Sequence, residues 1–218
     1  MLIADLMRKI YKRFEKSSDE PDNTSEDYLV RLEYVNAEIE KWENEIGIEW
    51  KELFATLSGT LVNGVYNNNT GAGTLENFKR PAGFLRIGED KYEYVRPEQV
   101  EKEQRENPTK KIYTVTGSKG SYSINVYPAV SGDFTLDYRK RATTYSTGTE
   151  TTEIEMSDPS FIIHGVLSQL YQDDNNNSQA SVEMQIANQK MEAMKLANEM
   201  PPFWQDNTVP SDNIAFGT

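Results

Sequence analysis

Apolar residues recur at Tyr28, Leu32, Val35, Ile39, Trp42 and Ile46, in alternating steps of four and three. That spacing lays one stripe along a helix and predicts a long one over Ser25–Trp50. Thr24 or Ser25 can accept from the unsatisfied N–H groups at its start, and Glu26 and Asp27 suit the positive end of the helix dipole. Gly47 stands where a left-handed residue closes a helix, with Ile48 placed for the accompanying apolar contact. Glu33, Glu38, Glu40, Glu43 and Glu45 fall on the opposite face, which is either solvated or meets a basic partner. A shorter pattern, Leu2, Ile3, Leu6, Met7, Ile10 and Phe14, predicts a first helix over residues 2–16 with Lys9, Lys12, Arg13 and Lys16 towards its other side.

The period changes after Glu49. Trp50 to Val65 reads as one or two strands, with Asn63-Gly64 as a hairpin turn pair. The Asn- and Gly-rich run after Gly64 reads as turns, and it lacks the GxxxxGK[ST] spacing of a phosphate-binding loop. Residues 83–96 predict a hairpin about Gly88–Asp90. Residues 97–108 are charged, either a short exposed helix or a loop. Period two returns at 111–116, 122–127 and 134–139, so the middle of the chain is expected to be antiparallel sheet with one buried face. Residues 143–157 are a Thr- and Ser-rich connector back to helices.

Ser157 or Asp158, followed by Pro159, opens a third helix with Phe161, Ile162, Val166, Leu167, Leu170 and Tyr171 on its apolar side. A fourth, from Asn177 or Ser178 to Met200, carries two apolar lines. Val182, Ile186, Ala193, Leu196 and Met200 form one; Met184, Ala187, Met191 and Met194 form the other. Such a helix can touch its own bundle on one line and a neighbouring subunit on the other, or use both as one wide core face. Met184, Ala187, Met191 and Met194 are the subunit-interface candidates. Pro201-Pro202 ends the helix. The last residues have no period, yet carry Phe203, Trp204, Val209, Ile214 and Phe216. Disordered tails are poor in aromatics, so these five are read as partner-binding beads on an arm.

The expected fold is therefore α+β: a bundle of about four long helices, an antiparallel β insertion between the helix pairs, and an extended C-terminal arm. Its parts are an N-terminal helical pair (1–50), a β-rich insertion (51–149), a C-terminal helical pair (150–200) packing with the first as one helical domain, and the arm (201–218).

Composition narrows the function. Hydrophobic residues make up 37% of the 218, low for a self-sufficient globule, which suits long polar loops or a core completed by copies of the chain. There is no cysteine, and hence no disulfide or thiolate site. No apolar run is long enough for a membrane span, and the first residues lack the apolar core and cleavage site of a signal peptide, so the cytoplasm is the expected compartment. The net charge of −12 is unevenly placed. Residues 1–17 carry five basic and two acidic side chains, 18–50 two and eleven, 51–149 fourteen and eleven, and 150–218 two and eleven. Such asymmetry suits head-to-tail contact between unlike faces of identical subunits. It disfavours sequence-specific DNA binding, which needs a clustered basic face.

Candidate chemistry is sparse. The one histidine, His164, lies in the apolar part of the third helix and reads as a satisfied core or interface residue. The Asp-Asp-Asn-Asn-Asn segment 173–177 resembles the start of a calcium loop but lacks its Gly at position 6 and Glu at position 12. Neither metal nor cofactor is expected, nor is catalysis. Tyr92, Tyr94, Tyr113, Tyr122 and Tyr127 admit a small hydrolase or carbohydrate binder, but such tyrosines more often pack on sheet faces.

The sequence is also similar to the head-to-tail adaptor (connector ring, tail tubular or portal-adaptor) proteins of tailed bacteriophages. Arg31, Leu32, Asn36, Ile39 and Trp42 resemble that family's long helix, and Trp50 with Leu53 its entry into strands. Ile124, Val126 and Pro128, then Leu136, Asp137, Tyr138, Arg139 and Lys140, resemble its hairpin. Asp158-Pro159, Ile162-Ile163, Gly165, Asp173-Asp174 and the Ala/Met-rich helix resemble its C-terminal helical pair. The likeness spans nearly the whole chain in dispersed residues; the loop at 66–73 and the segment 97–108 have no counterpart. The resemblance implies a virion protein at the head-tail junction, assembled in the host cytoplasm. It implies a homo-oligomeric ring of about twelve copies that binds the portal protein and tail or nozzle proteins and passes genomic DNA without sequence-specific binding. Acidic helix faces suit the wall of such a conduit, because they repel phosphate. Another virion module, a tail or decoration protein, or a non-enzymatic binding protein using the β region is the alternative.

Overall fold

The structure is a computed structural model that describes residues 1–16, 22–67, 75, 77–118 and 121–199. Five helices are present among them: α1 (Ile3–Phe14), α2 (Glu26–Glu43), α3 (Val100–Glu106), α4 (Ser160–Asp173) and α5 (Asn177–Glu199). Seven strands lie between α2 and α4: β1 (Phe54–Leu61), β2 (Val65–Asn67), β3 (Phe78–Ile87), β4 (Asp90–Tyr94), β5 (Ile112–Ser118), β6 (Ser121–Tyr127) and β7 (Gly132–Lys140).

The first helices follow their stripes. Ser25 accepts from the Tyr28 N–H at 3.2 Å and caps α2, and Tyr28, Leu32, Val35, Ile39 and Trp42 are all buried. The helix stops at Glu43 rather than continuing to Gly47. Gly47 takes φ +80° in a following turn, which swings Ile46 out to 94% exposure while Trp50 folds back into the core. No side chain caps α1. Instead the N–H groups of Ile3 and Ala4 donate to the carbonyls of Thr152 and Glu150, at 3.1 and 3.0 Å, so the connector before α4 satisfies them.

α4 is apolar nearly all round, with Phe161, Ile162, Ile163, Val166, Leu167 and Leu170 buried. A helix of that kind must be covered on several sides, and α1, α2 and α5 all pack on it. Gly165 allows the close approach of α2. A Cβ there would lie 2.4 Å from the Glu38 carboxylate, which is itself buried and accepts from Gln169 Nε2 at 2.8 Å.

The sheet corrects the bundle-with-insertion architecture. It runs β1-β7-β3-β4-β5-β6-β2 and bends round until its two end strands meet, where Val62 and Val65 exchange backbone hydrogen bonds at 3.0 and 3.1 Å. The result is a nearly closed, barrel-like sheet with its own core of Leu57, Leu61, Leu85, Tyr92, Tyr113, Ile124, Phe134 and Leu136. It is a second body beside the helices, not a small insertion between helix pairs. Two features give the difference. β1 pairs with β7 across some 80 residues (Phe54 opposite Arg139), a contact that local periodicity cannot report. And β4 and β5 are parallel, because residues 97–106 form a helical crossover between them.

The connector from Arg141 to Pro159 holds the two bodies together. Asn36 of α2 donates to the Tyr145 carbonyl and accepts from the Tyr145 N–H, both at 2.9 Å. The Tyr145 hydroxyl donates to the Glu153 carbonyl at 2.9 Å, and burial, with Glu155 nearby, pushes its phenol up to about 12. Tyr113 is raised as well, by burial in the sheet. The folded chain thus keeps these protons at a pH where the unfolded chain, with phenols near about 10, has lost them. The Tyr145 contribution is complete below about pH 10 and is lost as the pH rises through about 12, while that of Tyr113 is lost at still higher pH. Denaturant melts in that window are expected to show falling stability, and Tyr145→Phe is expected to flatten the slope. An unchanged slope would place the phenol in solvent.

Candidate interaction surfaces

With α4 at the centre, the other three long helices each turn one face outwards, and the three faces differ in chemistry. The exposed side of α1 is basic: Arg8, Lys9, Lys12 and Arg13, with Lys16 just beyond its end and Glu15 paired with Arg31. Asp5 pairs with Arg8 at 3.3 Å, Lys9 Nζ lies 3.2 Å from Met1 Sδ, and Lys12 has no ion pair among the described residues. The exposed stripe of α2 runs Glu26, Val30, Glu33, Ala37, Glu40, Asn44, again in steps of four and three. Glu33 and Glu40 likewise have no ion-pair partner among the described residues. The outward side of α5 is nearly uncharged, with Val182 and Leu196 exposed at 49% and 61%. Gln185, Gln189 and Ala193 lie between them, and Glu192 is held by Lys195 at 2.8 Å. Depletion of charge in a chain this rich in it is a property of interface centres.

An open groove of about 610 Å³ runs along the α2 stripe. Glu33, Ala37, Glu40, Glu43 and Asn44 line one wall, and Tyr122, Arg141, Thr143 and Thr144 the other. Glu43 is already occupied: it accepts from Lys79 Nζ at 2.7 Å and from the Ala142 N–H at 2.9 Å. The negative charge left to face a ligand is that of Glu33 and Glu40.

Where α2 and α5 end, a clasp joins the helices to the sheet. Trp50 stacks on Trp42, ring centroids 5.4 Å apart, and its indole N–H donates to the Trp42 carbonyl at 2.6 Å. Arg139 of β7 donates to the Trp50 carbonyl at 2.5 Å and to Glu49 at 2.7 Å, and Arg80 also pairs with Glu49. From α5, Asn198 donates to the Glu49 carbonyl and accepts from the Lys51 N–H. Exposed Ile46, Phe54 and Leu196 are close in sequence to these contacts.

The chain matches no family model and no curated protein sequence.

The sequence-derived candidates fall as follows. Ala187, Met191 and Met194 are buried in the chain's own helical core, and Met184 is half-buried. The line left outside is the other one, Val182, Ala193 and Leu196. Phe203, Trp204, Val209, Ile214 and Phe216 lie outside the described residues. His164 is enclosed by α1 and α5: Nδ1 lies 2.6 Å from Glu183 and Nε2 3.3 Å from Arg13. Arg13 can only donate, so Nε2 accepts and the Nδ1 proton points to Glu183. Of the five tyrosines, Tyr92 and Tyr113 are buried in the sheet, and Tyr113 donates to the Gly83 carbonyl at 2.9 Å. Tyr122 and Tyr127 are half-buried, which leaves Tyr94, 37% exposed, as the most open. The sequence offers Glu33 and Glu40 as a solvated or partner-facing side of α2, but not the groove, whose other wall comes from Tyr122, Arg141, Thr143 and Thr144. No helix among the described residues is long and apolar enough to cross a membrane.

Proposed function

We propose that this chain is a structural assembly protein, a head-to-tail adaptor that forms a ring beneath the portal of a tailed-phage particle, joins head to tail and lets DNA pass. The observation that carries the reading is the set of three chemically distinct outward faces, basic on α1, acidic on α2 and charge-poor on α5. A ring of identical subunits needs two unlike, mutually complementary faces on each copy, and a third for a different partner. The dispersed resemblance at Arg31, Asn36, Trp42, Asp137, Tyr138 and Gly165 supports the same reading. Its location would then be the virion, and its partners further copies, a portal protein and tail proteins, with no catalytic step. The aromatic beads of 201–218 would supply the portal contact.

The test is electron microscopy with native mass measurement, on the chain alone and mixed with the portal protein encoded near it. Rings seated on the portal are the expected result, and deletion of 201–218 is expected to abolish portal binding. A chain that stays monomeric and ignores the portal would overturn the proposal.

A further inference from the structure

The charge pattern of the helical body identifies which faces meet. We infer that neighbouring copies associate heterologously, the basic face of α1 on one copy seating its lysines against Glu33 and Glu40 in the α2 groove of the next. The inference rests on the assembly reading above and names its interface.

Three observations lead there. The two faces lie on different helices that both pack on α4. A copy that uses α1 on one neighbour can keep its α2 for another, the arrangement of a ring or filament. The charges are opposite, and among the described residues Lys12 on one side and Glu33 and Glu40 on the other have no ion pair, whereas Arg8 is held by Asp5. Elsewhere the fold does pair its charges, as at Glu43 with Lys79 and Glu45 with Lys195 (2.7 and 2.5 Å). Finally, the acidic stripe is not a flat solvated face. From Glu33 to Asn44 it forms one wall of a groove of about 610 Å³ that Ala37 and Ile39 also line, so a lysine side chain can lay its methylene stem on apolar surface while its ammonium reaches a carboxylate. Thr143 and Thr144 bound the groove on the far wall, where Arg141 places one positive charge opposite the acidic side.

Zero-length carbodiimide coupling tests this directly, because it joins a lysine to a carboxylate only where the two are in contact. Equal amounts of 14N- and 15N-labelled chain are mixed at high concentration, coupled and digested, and mixed-isotope peptides are sought. Links from Lys9, Lys12 or Lys16 to Glu33 or Glu40 are expected between copies, weakening as salt shortens the screening length from about 10 Å at 0.1 M to about 3 Å at 1 M. Lys9→Glu with Lys12→Glu, and separately Glu33→Lys with Glu40→Lys, should each weaken self-association at least about tenfold. All four changes in one chain should restore it. These positions are exposed, so each variant is expected to melt like the parent. Mixed-isotope links that map elsewhere, or reversals without effect on an assembly that still forms, would overturn this interface and leave the ring reading standing. A chain that gives no mixed-isotope link and stays monomeric even on the portal would overturn both. Capture of DNA or anionic vesicles by α1, with no link between copies, would overturn the interface by assigning its basic face to another ligand.

Discussion

Trp50→Ala is expected to lower the unfolding free energy by about 3–5 kcal/mol, the range for removing a large aromatic from a core. For a chain of this size that corresponds to a melting temperature lower by roughly 6–20 °C. The size of the effect follows from where the ring sits. Trp50 is 2% exposed and stacked on Trp42, so its removal leaves a cavity beneath α2. It also strips the indole donor from the Trp42 carbonyl. The backbone around it carries the clasp, with Arg139 of the sheet on the Trp50 carbonyl and Asn198 of α5 on the Lys51 N–H. A hole there loosens three elements together. Trp50→Phe separates the contributions: it keeps most of the packing and loses the hydrogen bond, and about 1–2 kcal/mol is expected. Urea melts followed by near-ultraviolet circular dichroism report both stability and the stacked pair. A loss below about 1 kcal/mol for the alanine variant would remove Trp50 from the core.

The clasp also marks the limit of what the amino-acid pattern discloses. The stripe Tyr28–Trp42 reports α2 because helical burial repeats every three or four residues, and the alternations at 122–127 and 134–139 report β6 and β7 for the corresponding reason. Asn63-Gly64 reports its turn because few residues tolerate positive φ. Signals of this kind are local. Ile46 obeys the α2 spacing and is nevertheless exposed, because the chain turns at Asn44 to bring Trp50 back onto Trp42, and that contact outweighs one more helical turn. The two lines of α5 illustrate the same limit. Each has helical spacing, and only the buried surface offered by α4 decides that Ala187, Met191 and Met194 face inwards. Closure of the sheet depends on β1 finding β7 and β2 finding β6, pairings that no window of residues contains. The acidic groove falls between these cases. Its α2 wall is periodic and was visible, while its other wall, at Tyr122 and Arg141, exists only once the sheet is folded.

Gly64→Ala is expected to open that sheet. Asn63 and Gly64 both have positive φ, +51° and +78°, the mirror-image turn that matches the twist of paired strands. An alanine at Gly64 bears a left-handed penalty of about 1–2 kcal/mol. Its Cβ would also lie 2.8 Å from the Ala129 Cβ and 2.9 Å from the Ala129 Cα, a backbone atom that cannot step aside alone. Overpacking of this kind costs about 1–3 kcal/mol more, for about 2–5 kcal/mol in all. The Gly64 N–H donates to Val130 and its carbonyl accepts from Val126, both at 2.8 Å, so displacing Ala129 also disturbs the join between β2 and β6. The only hydrogen-bonded contact between the ends of the sheet among the described residues is the single Val62–Val65 pair, just beyond β1. Losing it would widen the opening beside β1, whose outer backbone groups would then be available to another chain. Hydrogen exchange is therefore expected to accelerate first at Val62, Val65 and Gly64, and self-association insensitive to salt is expected to appear, unlike any contact made through α1 and α2. Asn63→Gly, which keeps the turn, should change stability by less than about 1 kcal/mol. If Gly64→Ala melts with its parent and those amides stay protected, the turn does not hold the sheet closed, and the closure must be carried by the β1–β7 and β2–β6 ladders alone.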